Sequence, residues 1–222
     1  MTSLLGTAAV DGIQFFGRIS ASISHELKNS LSIMNESAGL LEDLSRLAEK
    51  GRPLDLERVK HLSGMIKRQI QRTDHIIRNM NRFSHAVDDP FKQIDLSEFL
   101  TLVLAVSRRL TEVRGVTVNL SLCPETVPVI TRPFYLHHLV WRIIEFGMDA
   151  VGVSKTIDIE IHRTAKGVEM IFSGLDHLLA RTPARVFPDA PDETLLSLLG
   201  ARLHINDQLN QIRLVIPERF EI

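Results

Sequence analysis

The stretch that decides the fold of this chain is Ser20-Ala21-Ser22-Ile23-Ser24-His25-Glu26-Leu27-Lys28-Asn29-Ser30-Leu31. Polar residues lie here within an apolar repeat. Apolar residues recur through and beyond this stretch at every third or fourth position. They are Phe16, Ile19, Ile23, Leu27, Leu31, Met34, Ala38, Leu41 and Leu44. This spacing matches the turn of an α-helix and gathers the apolar side chains on one stripe. The stretch therefore predicts a long helix, with His25 off the apolar stripe.

A second apolar repeat predicts a second long helix. It comprises Val59, Leu62, Ile66, Ile70, Thr73, Ile77, Met80 and Phe83. Gly51-Arg52-Pro53 separates the two repeats, and Asp88-Asp89-Pro90 ends the second. Two long helices joined by a short turn form an antiparallel hairpin, which cannot bury its stripes alone. Because pairing with a second copy completes a four-helix bundle, we expect a homodimer.

The pattern changes after Pro90. Helical patterns cover 96–114, 133–151 and 193–200, and strand patterns cover 116–122, 156–162, 167–172, 202–206 and 211–216. This order predicts an α/β sandwich with mainly antiparallel strands and helices on one sheet face. We therefore expect an α+β protein with a helical hairpin over residues 1–90 and the sandwich over residues 91–222.

Composition limits the function classes. The chain has 222 residues, enough for two small domains, with a net charge of -1 that indicates neither a nucleic acid nor an anionic membrane as partner. No apolar run approaches the roughly 18 residues of a membrane span, and the N-terminus lacks the pattern of a secretory signal. A single cysteine, Cys123, predicts a half-buried thiol without chemistry. We expect a cytoplasmic protein.

His25 is the candidate reactive residue. Helical spacing places it on a polar face that comprises His25, Asn29, Ser32, Glu36 and Asp43. An exposed imidazole is a competent nucleophile and phosphate carrier at neutral pH. The adjacent Glu26 can accept its proton or fix its tautomer, and the Asn29 amide can hydrogen-bond a phosphoryl oxygen or align a water. The alternative for a lone histidine is a surface residue without function.

The run from Phe16 to Leu31 resembles the H box of sensor histidine kinases, which lies in a dimerisation and histidine-phosphotransfer hairpin. The resemblance implies that His25 is phosphorylated and that Glu26 is the acidic partner that assists the transfer. It also implies that Asn29 aligns the water when such proteins dephosphorylate a response regulator. Ser30 replaces the usual proline, so the kink that a proline causes is not expected here.

Residues 93–122, 132–150 and 197–217 resemble, less closely, the GHKL-type ATP-binding domain of these kinases. Aligned on Asp149-Ala150, the chain has Arg142 and Phe146 where the family has asparagines, the second of which holds Mg²⁺. Phenylalanine offers no oxygen to a hard cation. The strand that ends at Ser173 lacks the aspartate that hydrogen-bonds adenine, and Asp176 is a possible displaced substitute.

The glycine-rich lid of that domain is absent as well. Between Ser173 and Leu199 the only glycine is Gly174, and the segment carries Pro183, Pro188 and Pro191 instead. Without glycines the backbone cannot approach a triphosphate closely. Strand and helix patterns persist while several ATP motifs are lost, so we predict a degenerate domain that binds neither ATP nor Mg²⁺.

The leading interpretation is a dimeric histidine phosphotransfer protein that carries a phosphoryl group on His25 between receiver domains. Phosphotransferases of bacterial sporulation and cell-cycle relays resemble this arrangement. Receivers bring their own aspartate and Mg²⁺, so no cofactor is expected in this chain. Residues predicted to contact the partner are Lys28, Ser32, Glu36, Arg78 and Arg82. Arg78 or Arg82 would stabilise the phosphoryl group; the alternative is a solvated basic face that pairs with nearby acids.

Three other functions stay open. One is a response-regulator phosphatase that uses Asn29 and needs no phosphorylated His25. Another is a non-catalytic scaffold that binds a kinase or a response regulator. The last is a fragment of a sensor histidine kinase with residual ATP-dependent activity.

Overall fold

A computed structural model describes residues 2–121, 125–164, 167–178 and 187–218, with side chains from residue 9 onward. Cys123 and Pro183 lie outside the described residues, so the predictions made for them are not tested. Among the described residues, no helix combines the length and the apolar character that crossing a lipid bilayer requires.

Two long helices form the N-terminal hairpin. Helix α1 spans Thr2–Glu49 and helix α2 spans Leu56–Ser84. Gly51 follows α1 with a φ of 83°, a left-handed conformation that glycine adopts without steric cost. The Asp55 carboxylate accepts a hydrogen bond from the Arg58 N–H at 3.0 Å and so caps α2. Helix α1 continues unbroken through Ser30, as its sequence predicts.

The rest of the chain alternates helices and strands. After a 3-10 turn at His85–Val87, the elements are β1 (Lys92–Asp95), α3 (Leu96–Val113), β2 (Thr117–Ser121), β3 (Pro128–Thr131), α4 (Pro133–Ala150), β4 (Thr156–Thr164), β5 (Gly167–Ser173), α5 (Ala190–Leu199), β6 (Arg202–Asn206) and β7 (Gln211–Ile216). The predicted elements all form, with ends that shift by a few residues.

These strands build two sheets. The larger has the order β2-β4-β5-β7-β6, in which only the β2–β4 pair is parallel. Alternate strand residues such as Ile159, Phe172 and Leu214 are buried beneath the helices, so one sheet face forms the core. Strands β1 and β3 pair antiparallel in a separate sheet that the sequence did not predict, since four-residue strands show no clear alternation. The predicted α+β fold class, a helical hairpin followed by an α/β sandwich, is confirmed, and the dimeric bundle stays a prediction.

An aromatic cluster joins the hairpin to the sandwich. Phe15 of α1 stacks on His138 of α4 with ring centroids 4.6 Å apart. His137 of α4 lies between Phe83 of α2, at 5.2 Å, and Phe99 of α3, at 4.5 Å. All five rings are buried in one continuous apolar core. The two parts of the chain therefore pack as one body, which positions α3 along the hairpin close to the His25 region.

Candidate functional site

His25 lies on an exposed flank of α1. Residues four, seven and eleven positions apart share one face of an α-helix, and His25, Asn29, Ser32 and Glu36 are all exposed. The neighbouring Lys28 is exposed too. We call His25, Lys28, Asn29, Ser32 and Glu36 the His25 flank. An imidazole and an amide are thus presented to solvent one helical turn apart, where an incoming phosphoryl group can reach both.

Glu26 projects away from the His25 flank. Consecutive residues of a helix point about 100° apart, and the Glu26 side chain is only 8% exposed. Its Oε2 accepts from Arg72 Nη2 at 3.4 Å and from Arg108 Nη2 at 3.0 Å. The carboxylate is therefore held between α1, α2 and α3, and its assistance to His25 stays a prediction. Sequence reasoning missed Arg108, because it lies 82 positions from Glu26 and only the fold brings the two together.

A small cleft adjoins this carboxylate. Its volume is about 170 Å³. It is lined by Ile23, Glu26, Arg72, His75, Ile76, Asn79, Ala105, Val106 and Arg108. His75 and Asn79 are linked by a 3.0 Å hydrogen bond on its α2 side. The Glu26 carboxylate therefore borders open space between α1, α2 and α3.

Arg78 and Arg82 have acidic partners. Arg78 pairs with Asp74 one turn earlier on α2, and Arg82 Nη2 lies 3.6 Å from Glu98 Oε2 on α3. All four side chains are more than half exposed, so these pairs contribute little to stability. Both arginines remain available to exchange a carboxylate for a partner's phosphoryl group, and their role in docking stays a prediction.

Arg142 and Phe146 are occupied by the chain's own residues. The Arg142 guanidinium bridges Asp189 and Asp192, which begin α5, and its Nη2 lies 2.7 Å from both Asp189 oxygens. Phe146 stacks on Phe187 with centroids 4.5 Å apart. These are the two positions at which the kinases have asparagines, and here each contacts the segment that leads into α5. Asp176, the possible substitute for the adenine-binding aspartate, lies against Gly152 and accepts from Asn210 at 3.5 Å.

Charge holds the Arg142 cluster together. Burial alone would lower the pKa of Arg142, but the hydrogen bonds and charges of Asp192 and Asp189 outweigh it and raise that pKa. Burial likewise would raise the pKa of Asp189, but its hydrogen bonds to Asp192 and the nearby Arg142 lower it. Asp192 is fully buried, and burial raises its pKa despite the arginine. Asp189 is therefore the first of the two carboxyls to ionise as the pH rises.

Arg142→Ala is expected to destabilise the fold by about 3 kcal/mol, because it leaves the buried Asp192 without its partner. Urea denaturation measures the change. Arg114→Ala is the matched control. Arg114, at the end of α3, pairs with Asp149, which lies on α4 as Arg142 does, but both side chains of this pair are about half exposed. That variant is expected to lose less than about 1 kcal/mol. Equal losses in both variants would contradict a structural role for the Arg142 cluster.

His137 and His138 of α4 are both buried. Burial, aided by the charge of Arg82, lowers the pKa of His137 to about 3. Burial and then the charges of Arg142 and Arg18 lower the pKa of His138 to about 4, although Glu145 acts in the opposite direction. Both imidazoles are therefore neutral at pH 7 and serve as aromatic packing groups.

Large apolar side chains are exposed on the hairpin flank away from His25. They are Ile13, Leu31, Ile70 and Ile77, exposed by 73%, 57%, 54% and 43%. Because successive residues of a helix turn by about 100°, Ile13 and Leu31 both point about 120° away from His25 around the axis of α1. Ile70 and Ile77 share one face of α2. A second chain can therefore cover this apolar surface without contacting the His25 flank.

No protein-family model and no curated protein sequence matches this chain. Solved structures do match. The chain is similar to histidine kinases. The histidine kinase AdeS of Acinetobacter baumannii is 13% identical with a TM-score of 0.48, over 87% of this chain and 98% of that one. The ATP-binding domain of PrrB from Mycobacterium tuberculosis is 18% identical with a TM-score of 0.46, over 58% and 98%.

A bacterial phosphotransferase also matches, at 13% identity and a TM-score of 0.43, over 90% of this chain and 95% of that one. Each of these likenesses is at or below 18% identity and a TM-score of 0.48. Function is therefore inferred from this chain's own residues.

Proposed function

We propose that this protein is a histidine phosphotransfer protein of two-component signalling, and that it carries a phosphoryl group on His25 between receiver domains. The observation that carries the proposal is an exposed His25 in a chain whose Arg142 and Phe146 pair with its own side chains. Such a protein needs a solvent-facing imidazole and no nucleotide. Asn29, on the same flank, would hydrogen-bond the phosphoryl oxygens.

The transfer breaks one bond and forms one. A lone pair on a His25 ring nitrogen attacks the phosphorus of a receiver's aspartyl phosphate, the P–O bond to the aspartate breaks, and an N–P bond forms. The receiver regains its carboxylate, and the ring proton on the other nitrogen leaves to a base or to water. The reverse reaction delivers the group to a second receiver, with Mg²⁺ supplied by the receivers.

The partner surface we propose is the His25 flank together with Arg78 and Arg82. The flank carries Lys28 and Glu36 as opposite charges, and the Ser32 hydroxyl donates to the Lys28 carbonyl at 3.0 Å, which leaves its lone pairs free to accept. Arg82 would approach the phosphoryl group by exchanging its contact with Glu98. A receiver that docks here contacts both hairpin helices.

The proposal is tested by incubating the full chain with a phosphorylated receiver and searching for label on this protein. A phosphohistidine is labile in acid and stable in base, so chemical stability identifies the bond. Mass spectrometry should place the group at His25. If a panel of phosphorylated receivers transfers no label, the phosphotransfer function is wrong.

Response-regulator phosphatase activity is a second candidate, which one observation favours. Glu26, expected to assist transfer onto His25, is bound by two arginines, whereas the Asn29 side chain is exposed. A phosphatase needs an amide that aligns water and does not need the carboxylate. If Asn29→Ala stops phosphate loss from a receiver while His25→Ala preserves it, the phosphatase function replaces the phosphotransfer function.

We also propose that the hairpin pairs with a second copy through its apolar flank, and Ile70→Glu is expected to separate the dimer. In a symmetric dimer, Ile70 of both copies is buried in the interface, so the substitution acts twice. Because Ile70 is already about half buried in one chain, each copy loses about 1 kcal/mol of further burial, and the introduced carboxylate must also be desolvated. The loss is therefore at least roughly 2 kcal/mol, or about thirtyfold in the dissociation constant. Analytical ultracentrifugation measures it.

Leu209→Glu is the matched control for the dimer, because Leu209 is also 54% exposed but lies between β6 and β7. That variant should sediment as the wild type does. A wild-type chain that is monomeric at micromolar concentration would contradict the dimer directly.

A further inference from the structure

Arg108 links the sandwich to the residue beside His25. It lies on α3, outside the hairpin, yet its Nη2 donates to Glu26 Oε2 at 3.0 Å. Arg72 of α2 approaches the same oxygen from the other side, at 3.4 Å. The Arg108 Nε lies 3.4 Å from Glu112 Oε1, so its guanidinium is held on α3. One hairpin carboxylate is therefore bound by both parts of the molecule.

In the contact between Arg108 and Glu26, the carboxylate is sheltered from solvent. The Glu26 side chain is 8% exposed, whereas the two arginines are nearly half exposed. A charge-assisted hydrogen bond to a sheltered carboxylate is stronger than a pair in open solvent. Since a buried carboxylate that loses its partner pays a large desolvation cost, Glu26 remains with the arginines while α3 is in place.

We propose that Arg108 is a positioning residue through which the sandwich withholds Glu26 from His25. The inference rests on the proposed function. While Arg108 and Arg72 occupy Glu26, its lone pairs point into the cleft between α1, α2 and α3, about 100° from the His25 direction. A carboxylate that already accepts from two guanidinium groups is a weaker acceptor for a third proton donor.

Release of Arg108 changes the transfer step. Only the longer contact to Arg72 then remains, and the adjoining cleft gives the Glu26 side chain room to rotate. When the N–P bond forms at one His25 nitrogen, the proton on the other nitrogen passes to the Glu26 carboxylate instead of to water. A domain that has lost its nucleotide motifs thus retains control over the rate at His25.

The test uses potassium phosphoramidate, a small phosphodonor that requires no receiver. It transfers its phosphoryl group to an imidazole as its P–N bond breaks and ammonia leaves. Arg108→Ala is expected to raise the maximal labelling rate of His25 on the order of tenfold, because a positioned base is gained. The phosphoramidate concentration at half-maximal rate should not change. Adding Glu26→Gln to Arg108→Ala should return the rate to that of Glu26→Gln alone.

Arg109→Ala is the matched control, since Arg109 is the next residue of α3 and, among the described residues, forms no hydrogen bond or ion pair with Glu26. If Arg108→Ala fails to fold, Arg108→Gln replaces it and should also label faster than the wild type. Arg108→Lys keeps the charge beside Glu26 and should label as the wild type does. Equal or slower labelling in Arg108→Ala than in Arg109→Ala overturns the inference. If the wild type accepts phosphate from neither phosphoramidate nor any receiver, the proposed function itself fails.

Discussion

His25→Ala is expected to abolish transfer from a phosphorylated receiver, leaving label at the background level. Alanine removes the only imidazole of the His25 flank, so no ring nitrogen remains there to form the N–P bond. His25→Gln should behave identically, because its amide is not a nucleophile. Because His25 is exposed, neither change should disturb the fold. Phosphate-affinity gels report the label, and thermal melting reports the fold.

His75→Ala is the control for the His25 prediction. His75 is an exposed histidine of the same hairpin, on α2, and its variant should accept label at the wild-type rate. Asn29→Ala should keep the label on His25, with slower turnover. Label that persists in His25→Ala would mean that another residue carries the phosphate.

Acidification from pH 7 to pH 5 is expected to remove roughly 4 kcal/mol of folding stability through His137 and His138. Both have lowered pKa values in the folded state, about 3 and about 4, against 6.5 when unfolded. Below pH 6.5 the unfolded chain therefore binds protons that the folded chain excludes, so stability falls as the pH falls. Each group contributes about 1.4 kcal/mol per pH unit. The loss from these two groups levels off near pH 3 to 4.

Urea denaturation at the two pH values measures this loss. The doubly substituted variant, with His137→Leu and His138→Leu, should lose much less stability over the same interval, whatever its stability at pH 7. His204→Leu alters an exposed histidine and should retain the wild-type dependence. The groups near the two buried rings are Arg82, Arg142, Arg18 and Glu145, of which only Glu145 favours protonation. A double variant as acid-sensitive as the wild type would contradict the assignment.

Local patterns were sufficient for most secondary structure, and they are also the basis on which His25 is predicted to be the reactive residue. Helix α1, helix α2 and the five strands of the larger sheet follow from apolar periodicity, which depends only on neighbours along the chain. The grouping of His25 with Asn29 follows from the geometry of a single helix. Strands β1 and β3 were missed, since a four-residue strand is decided by the partner that pairs with it.

The surroundings of the site depended on the tertiary structure. The sequence alone identified Glu26 as a neighbour of His25, but adjacency along a helix does not determine where a side chain points. Arg108 binds Glu26 across 82 positions, and Arg142 reaches Asp189 across 47. Such contacts depend on how α3 and α5 pack, which no short-range pattern encodes. The sequence by itself predicts His25 as the phosphate carrier, and only the fold decided which charges surround it.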